Sequence, residues 1–165
     1  MALVDALLPE FDHEMATTRT VLERVPEDKL AWKPHPTSSS LGDLATHVAT
    51  IPMWGEMTLN RDELDLGGAG RVAAAASRAA LLEQFGRNAA GTRAALVGRS
   101  DAELMAHWSL KNGDQMLFTL PKAMVWRSFV MNHLIHHRAQ LAVYLRMLEV
   151  PVPSMYGPSR DENPF

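Results

Sequence analysis

The sequence predicts an all-α four-helix bundle with a short β-hairpin between helices three and four. Apolar residues recur at three- and four-residue spacing in long segments, proline- or glycine-rich connections separate them, and a stretch after His107 alternates around an Asn-Gly pair. The chain has 165 residues, 47% hydrophobic and 21% charged, which is enough apolar surface for one core, so a single domain over residues 1–165 is expected.

Helix one is expected from Leu3 to Val25, where Leu3, Leu7, Phe11, Met15, Val21 and Leu22 form one apolar stripe that stops at Pro26. The following PEDKLAWKPHPTSSS carries three prolines and reads as an ordered connection anchored by Trp32. Ser40 and Asp43 read as a capping box that opens helix two, which runs to about Leu59 with a kink at Pro52. RDELDLGGAG has turn composition, and the Ala-, Leu- and Arg-rich stretch from Val72 to Val97 predicts helix three. Two short strands are expected between His107 and Leu120, turning at Asn112-Gly113. Pro121 suits the first turn of a last helix that continues to about Glu149, where Pro151 and Pro153 end it, and the tail reads as irregular.

Composition excludes several functions. The formal charge of -3, with Lys and Arg scattered, lacks the footprint needed to hold a phosphate backbone, so nucleic acid is not an expected partner. The absence of cysteine removes disulfides, thiolate metal sites and cysteine nucleophiles. MALVDALLPE does not read as a signal peptide and no stretch is long and apolar enough for a membrane span, which points to a soluble cytoplasmic protein without a membrane partner.

Among seven histidines, His133 and His137 in MNHLIHHRAQL lie four apart on one helical face. At about 100° per residue, Trp126, Val130, Leu141, Tyr144 and Leu148 define a stripe centred between them, with His136 on its flank and Arg138 pointing away. Imidazoles on a core stripe need polar partners, either a metal ion or a hydrogen-bonded neighbour. His47 lies at the inward edge of the helix-two stripe of Leu41, Leu44, Val48 and Ile51, and would become a third ligand if helices two and four pack side by side. Three neutral imidazoles would leave coordination positions open to water or substrate.

LGDLATHVATIPMW, NHLIHHRAQLAVYLR, the tail VPSMYGPSRDE and the WKPHP segment together resemble the DinB (YfiT-like) family of four-helix-bundle proteins, over roughly Leu3 to Glu162. The resemblance implies an up-down-down-up helix order and a divalent metal held by one His of helix two and two of the last helix, mapping onto His47, His133 and His137. It also implies an activity class: members include transferases and isomerases that work with small thiols such as bacillithiol or mycothiol, beside members with no assigned activity.

Leu134 stands where a zinc protease of the H-E-x-x-H type would carry its glutamate, so peptide hydrolysis of that kind is disfavoured. A three-histidine site can bind a thiolate or activate water, giving a thiol transferase as the first reading and a hydrolase as the second. A non-catalytic metal- or ligand-binding scaffold is the alternative, because no general base stands out. Zinc or nickel leads the metal candidates, with iron and manganese also compatible with imidazole. Glu14 falls on the apolar stripe of helix one, where an ion pair with an arginine is the simpler account and orientation of a ligand His the sharper one. Trp54 and Trp126 share the His-bearing sides of their helices and are candidates for a pocket mouth. The expected partners are a small-molecule substrate, a low-molecular-weight thiol among the candidates, and a second copy in a homodimer.

Overall fold

A computed structural model describes residues 1–67 and 72–165 of the chain. Helix α1 spans Leu3–Leu22 and ends a turn before the expected Val25, because a residue preceding a proline is pushed out of helical geometry and Pro26 leads into a 3-10 turn at Glu27–Lys29. Helix α2 spans Leu41–Asn60. Its cap is half of the expected box: Ser40 Oγ accepts from the Asp43 amide at 3.1 Å, but the Asp43 carboxylate accepts from the Ser40 hydroxyl at 2.8 Å rather than from an amide.

Between α2 and the next helix the chain forms strand β1, Glu63–Asp65, within the segment read as a turn; the remainder of that turn, from Gly68, lies outside the described residues. Helix α3 covers Arg78–Leu96 and begins later than the expected Val72. Ser77 Oγ caps the Ala80 amide at 3.1 Å, and the Ala75 amide donates to Thr46 Oγ1 at 2.9 Å, so a cap and a tertiary hydrogen bond override the helix propensity of the alanines before Ser77. A short helix α4, Asp101–Met105, was not expected, although its S-x-x-E signature is present: Glu103 Oε2 accepts from the Ser100 amide at 2.9 Å and Ser100 Oγ from the Glu103 amide at 3.3 Å.

Strands β2, His107–Asn112, and β3, Gln115–Pro121, form the expected hairpin, with Trp108 opposite Leu120 and Leu110 opposite Phe118. Asn112 pairs with Gln115, so the turn is Gly113-Asp114, one residue later than Asn112-Gly113, and Gly113 takes the positive φ of 57°. β1 adds to the other edge of β2 in parallel, Leu64 opposite Leu110. The last rod begins as α5, Lys122–Val125, passes through a π-helical stretch at Trp126–Asn132 and continues as α6, His133–Met147.

Cross-helix partners fix the directions. Thr50 meets Gln84 and the Pro52 carbonyl meets Thr92, so α2 and α3 run parallel. His47 meets His137 and Trp54 meets His133, so α2 and α6 run antiparallel. Glu10 pairs with Arg127 and Glu14 with Arg138, so α1 and the last rod run parallel, and Asp12 with Arg93 completes the ring. The order is up-down-down-up, and the parallel step from α2 to α3 requires the long crossover that carries β1.

Helix α2 runs unbroken through Pro52, and two carbonyls around it are served from α3, where Asn88 Nδ2 donates to the Ala49 carbonyl at 2.9 Å and Thr92 Oγ1 to the Pro52 carbonyl. Gly55 sits at a tight approach between helices: a β-carbon there would lie 2.6 Å from Thr92 Cγ2 and 3.0 Å from the Trp126 ring. The core between the helices includes Phe11, Leu41, Ile51, Leu81, Trp126 and Leu141, while Trp108, Leu110 and Val125 form a satellite cluster under the sheet.

Candidate metal centre

The last rod does not keep the phase that uninterrupted 3.6-residue periodicity gives it. A π-helical stretch takes more residues per turn, so its seven residues delay the core stripe by about one position. The buried line therefore runs Trp126, Val130, Leu134, Arg138, Leu141, Leu145. His133 and His137 stand one position off that line, half-buried on the side facing α2, and not at its centre. Arg138, expected to point away, is 1% exposed.

That interior arginine explains Glu14. Arg138 Nη2 lies 2.7 Å from Glu14 Oε2, and Arg138 Nη1 donates to the Glu14 carbonyl at 3.1 Å and to Thr18 Oγ1 at 3.0 Å. The Tyr156 hydroxyl accepts from Arg138 at 2.6 Å and donates to Glu14 Oε1 at 2.8 Å. The ion-pair account of Glu14 therefore holds, and the tail residue Tyr156 closes the pair from outside. Burial pushes the Tyr156 phenol up, and its bond to Glu14 adds to the effect.

The offset of the histidines from the core line aims them at α2. His47 Nε2 and His133 Nε2 lie 3.2 Å apart, and one ring nitrogen from each of His47, His133 and His137 falls within 4.8 Å of the others. Tetrahedral ligands at metal–nitrogen distances of about 2.0–2.1 Å stand roughly 3.3–3.4 Å from one another, so the closest pair already has that spacing. His137 Nδ1 donates to Gln140 Oε1 at 2.7 Å, leaving Nε2 as a lone pair. The Phe129 backbone, one turn earlier, interacts with the His133 ring and opposes the lowering of its pKa by burial. The Gln140 partner fixes the bare nitrogen of His137, and the facing Nε2 atoms of His47 and His133 call for a proton or a cation between them.

Burial and the neighbouring rings His137 and His133 pull His47 down to about 4. Burial also lowers His133 and His137, the latter against the opposing pull of Gln140. At neutral pH all three rings are neutral and ready to bind a cation without first losing a proton. His136 is exposed on the flank, its ring 4.8 Å from that of His137.

The three-histidine cluster can hold a metal ion, and a cavity of about 860 Å³ reaches it on the side of His47 and His137. Its walls include Ser38, Asp43 and Thr50 on one side and Met53, Met57 and Leu66 on the other. Trp54 lines it as expected, its ring 5.3 Å from that of His133. Trp126 does not: it is fully buried, 5.4 Å from Phe11, because Gly55 lets it sink between the helices. Sequence reasoning passed over Gln140 and the Phe129 backbone. A glutamine three residues after a ligand histidine is the signal for the first; the second has none, since every residue carries a backbone.

Fold and site define a four-helix bundle with a three-histidine cluster shared by its second and last helices. The chain belongs to the DinB family, whose model matches residues 2–163. Solved structures that share the fold include two DinB-like proteins. One is a DinB-like protein of Bacillus cereus ATCC 10987, at a TM-score of 0.71 and 19% identity, covering 92% of this chain and 97% of that one. The other is the DinB-like YjoA of Bacillus subtilis, at 0.70 and 18%, covering 91% and 96%. No curated protein matches the chain.

Proposed function

We propose that this protein is a metal-dependent enzyme acting on small molecules, with thiol transfer its first reaction and hydrolysis its second. The observation that carries the reading is the convergence of three neutral imidazoles beside an open cavity lined by two of them. His47, His133 and His137 would hold a divalent ion, zinc or nickel ahead of iron and manganese. A bound ion would supply Lewis acidity, keeping a thiol ionised or a water activated near neutral pH. The chain's own residues do the positioning. Gln140 orients His137, the Phe129 backbone interacts with His133, Trp54 packs beside His47 and His133, and the cavity admits a second reactant.

Three uncharged ligands leave the ion's positive charge uncancelled, which favours a thiolate over a neutral ligand. Among the lining residues, Asp43 is the carboxylate one turn before His47, and it already accepts from the Ser40 hydroxyl. A thiolate nucleophile does not require a dedicated base next to the ligands, whereas water activation gains from one. This ranks transfer above hydrolysis. A small thiol, an electrophilic co-substrate and a second copy of the chain are the proposed partners.

The test is metal content after purification without chelator, followed by a thiol-plus-electrophile screen of the metal-loaded protein and of His133→Ala. Metal-dependent turnover lost in the variant supports the enzyme reading. Stoichiometric metal with no turnover in the screen favours a binding scaffold, and equal metal content in the variant removes the site itself.

A further inference from the structure

We infer that the inner, apolar half of the cavity is a subsite for a short aliphatic arm of the substrate, ending in an apolar pouch closed by Trp108. This rests on the reading above only in taking the arm to be joined to a polar head that reaches the histidines.

The wall that α2 gives the cavity changes character along its length. Asp43, Thr46 and Thr50, with Leu44 among them, line the stretch on either side of His47, and Met53, Trp54 and Met57 the stretch beyond Thr50. At about 1.5 Å rise per residue, Met57 lies roughly 15 Å past His47, so a ligand group bound at the rings can extend well into the apolar half. Leu64 and Leu66 face that half and also line a second space of about 60 Å³ behind it, with Trp54 common to both. Trp108, Leu110 and Val125 form the back of this pouch.

Among its lining residues, only the Thr58 hydroxyl and the indoles of Trp54 and Trp108 bring polar side-chain atoms, and Trp108 Nε1–H is buried without an acceptor. These groups are few beside the side chains of Leu64, Leu66, Leu110, Val125 and Phe129, so the space gains from an apolar occupant. At about 15 Å³ for each water-sized group, it holds roughly four such groups, the size of a short alkyl end.

The pouch is built by elements the bundle does not otherwise need. β1 pairs in parallel with β2, and Asp65 Oδ1 accepts from the Gly67 amide at 2.7 Å and the Gly113 amide at 2.9 Å, which pins the leucines on either side of Asp65 over the opening. At the cavity rim, Leu66 is 40% exposed, Val72 47% and Val143 58%, apolar side chains left in water where a ligand's arm would pass.

The probe is a series of straight-chain alkyl hydroxamates, from two to eight carbons, titrated into zinc-loaded protein by calorimetry. Affinity should climb about fourfold per methylene until the pouch is full and then level off. Leu66→Trp, which fills the opening from a partly exposed position, should flatten the climb. A flat series in the unaltered protein, with the shortest member binding normally, overturns the subsite and leaves the metal site standing. If no member binds because zinc does not, the metal reading has failed. The metal-free protein then decides the subsite through tryptophan fluorescence with 1-hexanol against methanol: a change specific to hexanol and lost in Leu66→Trp supports it, and no change overturns it.

Discussion

Replacing Arg138 by Met tests the interior of the bundle at the point where helical phase alone misplaces it. Arg138 is 1% exposed and Glu14 4%, so the substitution leaves a carboxylate in the core with the Tyr156 hydroxyl as its remaining side-chain donor. Breaking a buried pair from one side costs about 3–5 kcal/mol, because the abandoned charge has lost its water and its partner. For a domain of this size each kcal/mol moves the melting temperature by about 2–4 °C, so a fall of roughly 6–20 °C is expected. Urea unfolding of Arg138→Met, Glu14→Gln and the double variant would measure it, with the double variant losing less than the sum because the stranded charge is gone. A cost for Arg138→Met within about 1 kcal/mol, the range of an exposed pair, would refute both the burial and the phase shift that produces it.

Gln140→Leu should weaken metal affinity by about 10–100-fold while leaving the fold intact, since it removes the acceptor that holds His137 Nδ1–H; competition against a chromogenic chelator reads this, and an unchanged affinity would count against the role. The metal-free protein should lose stability as pH falls from about 6.5 toward 4. His47, His133 and His137 bind protons less readily folded than unfolded, so the unfolded state takes up more protons in that window. Asp65, Glu103, Asp161 and Glu162 are held below their ordinary range and contribute only at lower pH, so a melting temperature flat between pH 7 and 5 would contradict the histidine account. Gly55→Ala should cost about 1–3 kcal/mol by overpacking, because its new methyl would meet Thr92 and Trp126; full stability in a denaturant titration would mean that this contact yields.

Much of this was legible in the sequence because it is local. Apolar spacing gives helices one, two and four and helix propensity gives helix three, Ser40 marks the start of α2, Pro26 ends the region of α1, and alternation around Asn112-Gly113 gives the hairpin. The four-residue step from His133 to His137 puts both rings on one face whatever the rest of the chain does. His47 at the inward edge of its own stripe then follows from the same arithmetic, and the family resemblance supplied the pairing of α2 with the last helix.

What remained depended on partners far away in sequence. The π-helical stretch at Trp126–Asn132 leaves no mark in composition, yet it turns Arg138 inward to Glu14 and sets His133 and His137 at the edge of the core facing α2. Glu63–Asp65 reads as a turn because it is short and polar, and becomes a strand only when β2 offers its edge. Trp126 is in the core and Trp54 at the cavity because Gly55 lets one helix approach another, a distance no periodicity contains. Periodicity fixes which side of a rod is apolar. Only the packing of the rods decides how far that side rotates, which polar groups it takes inside, and which rings it leaves facing each other.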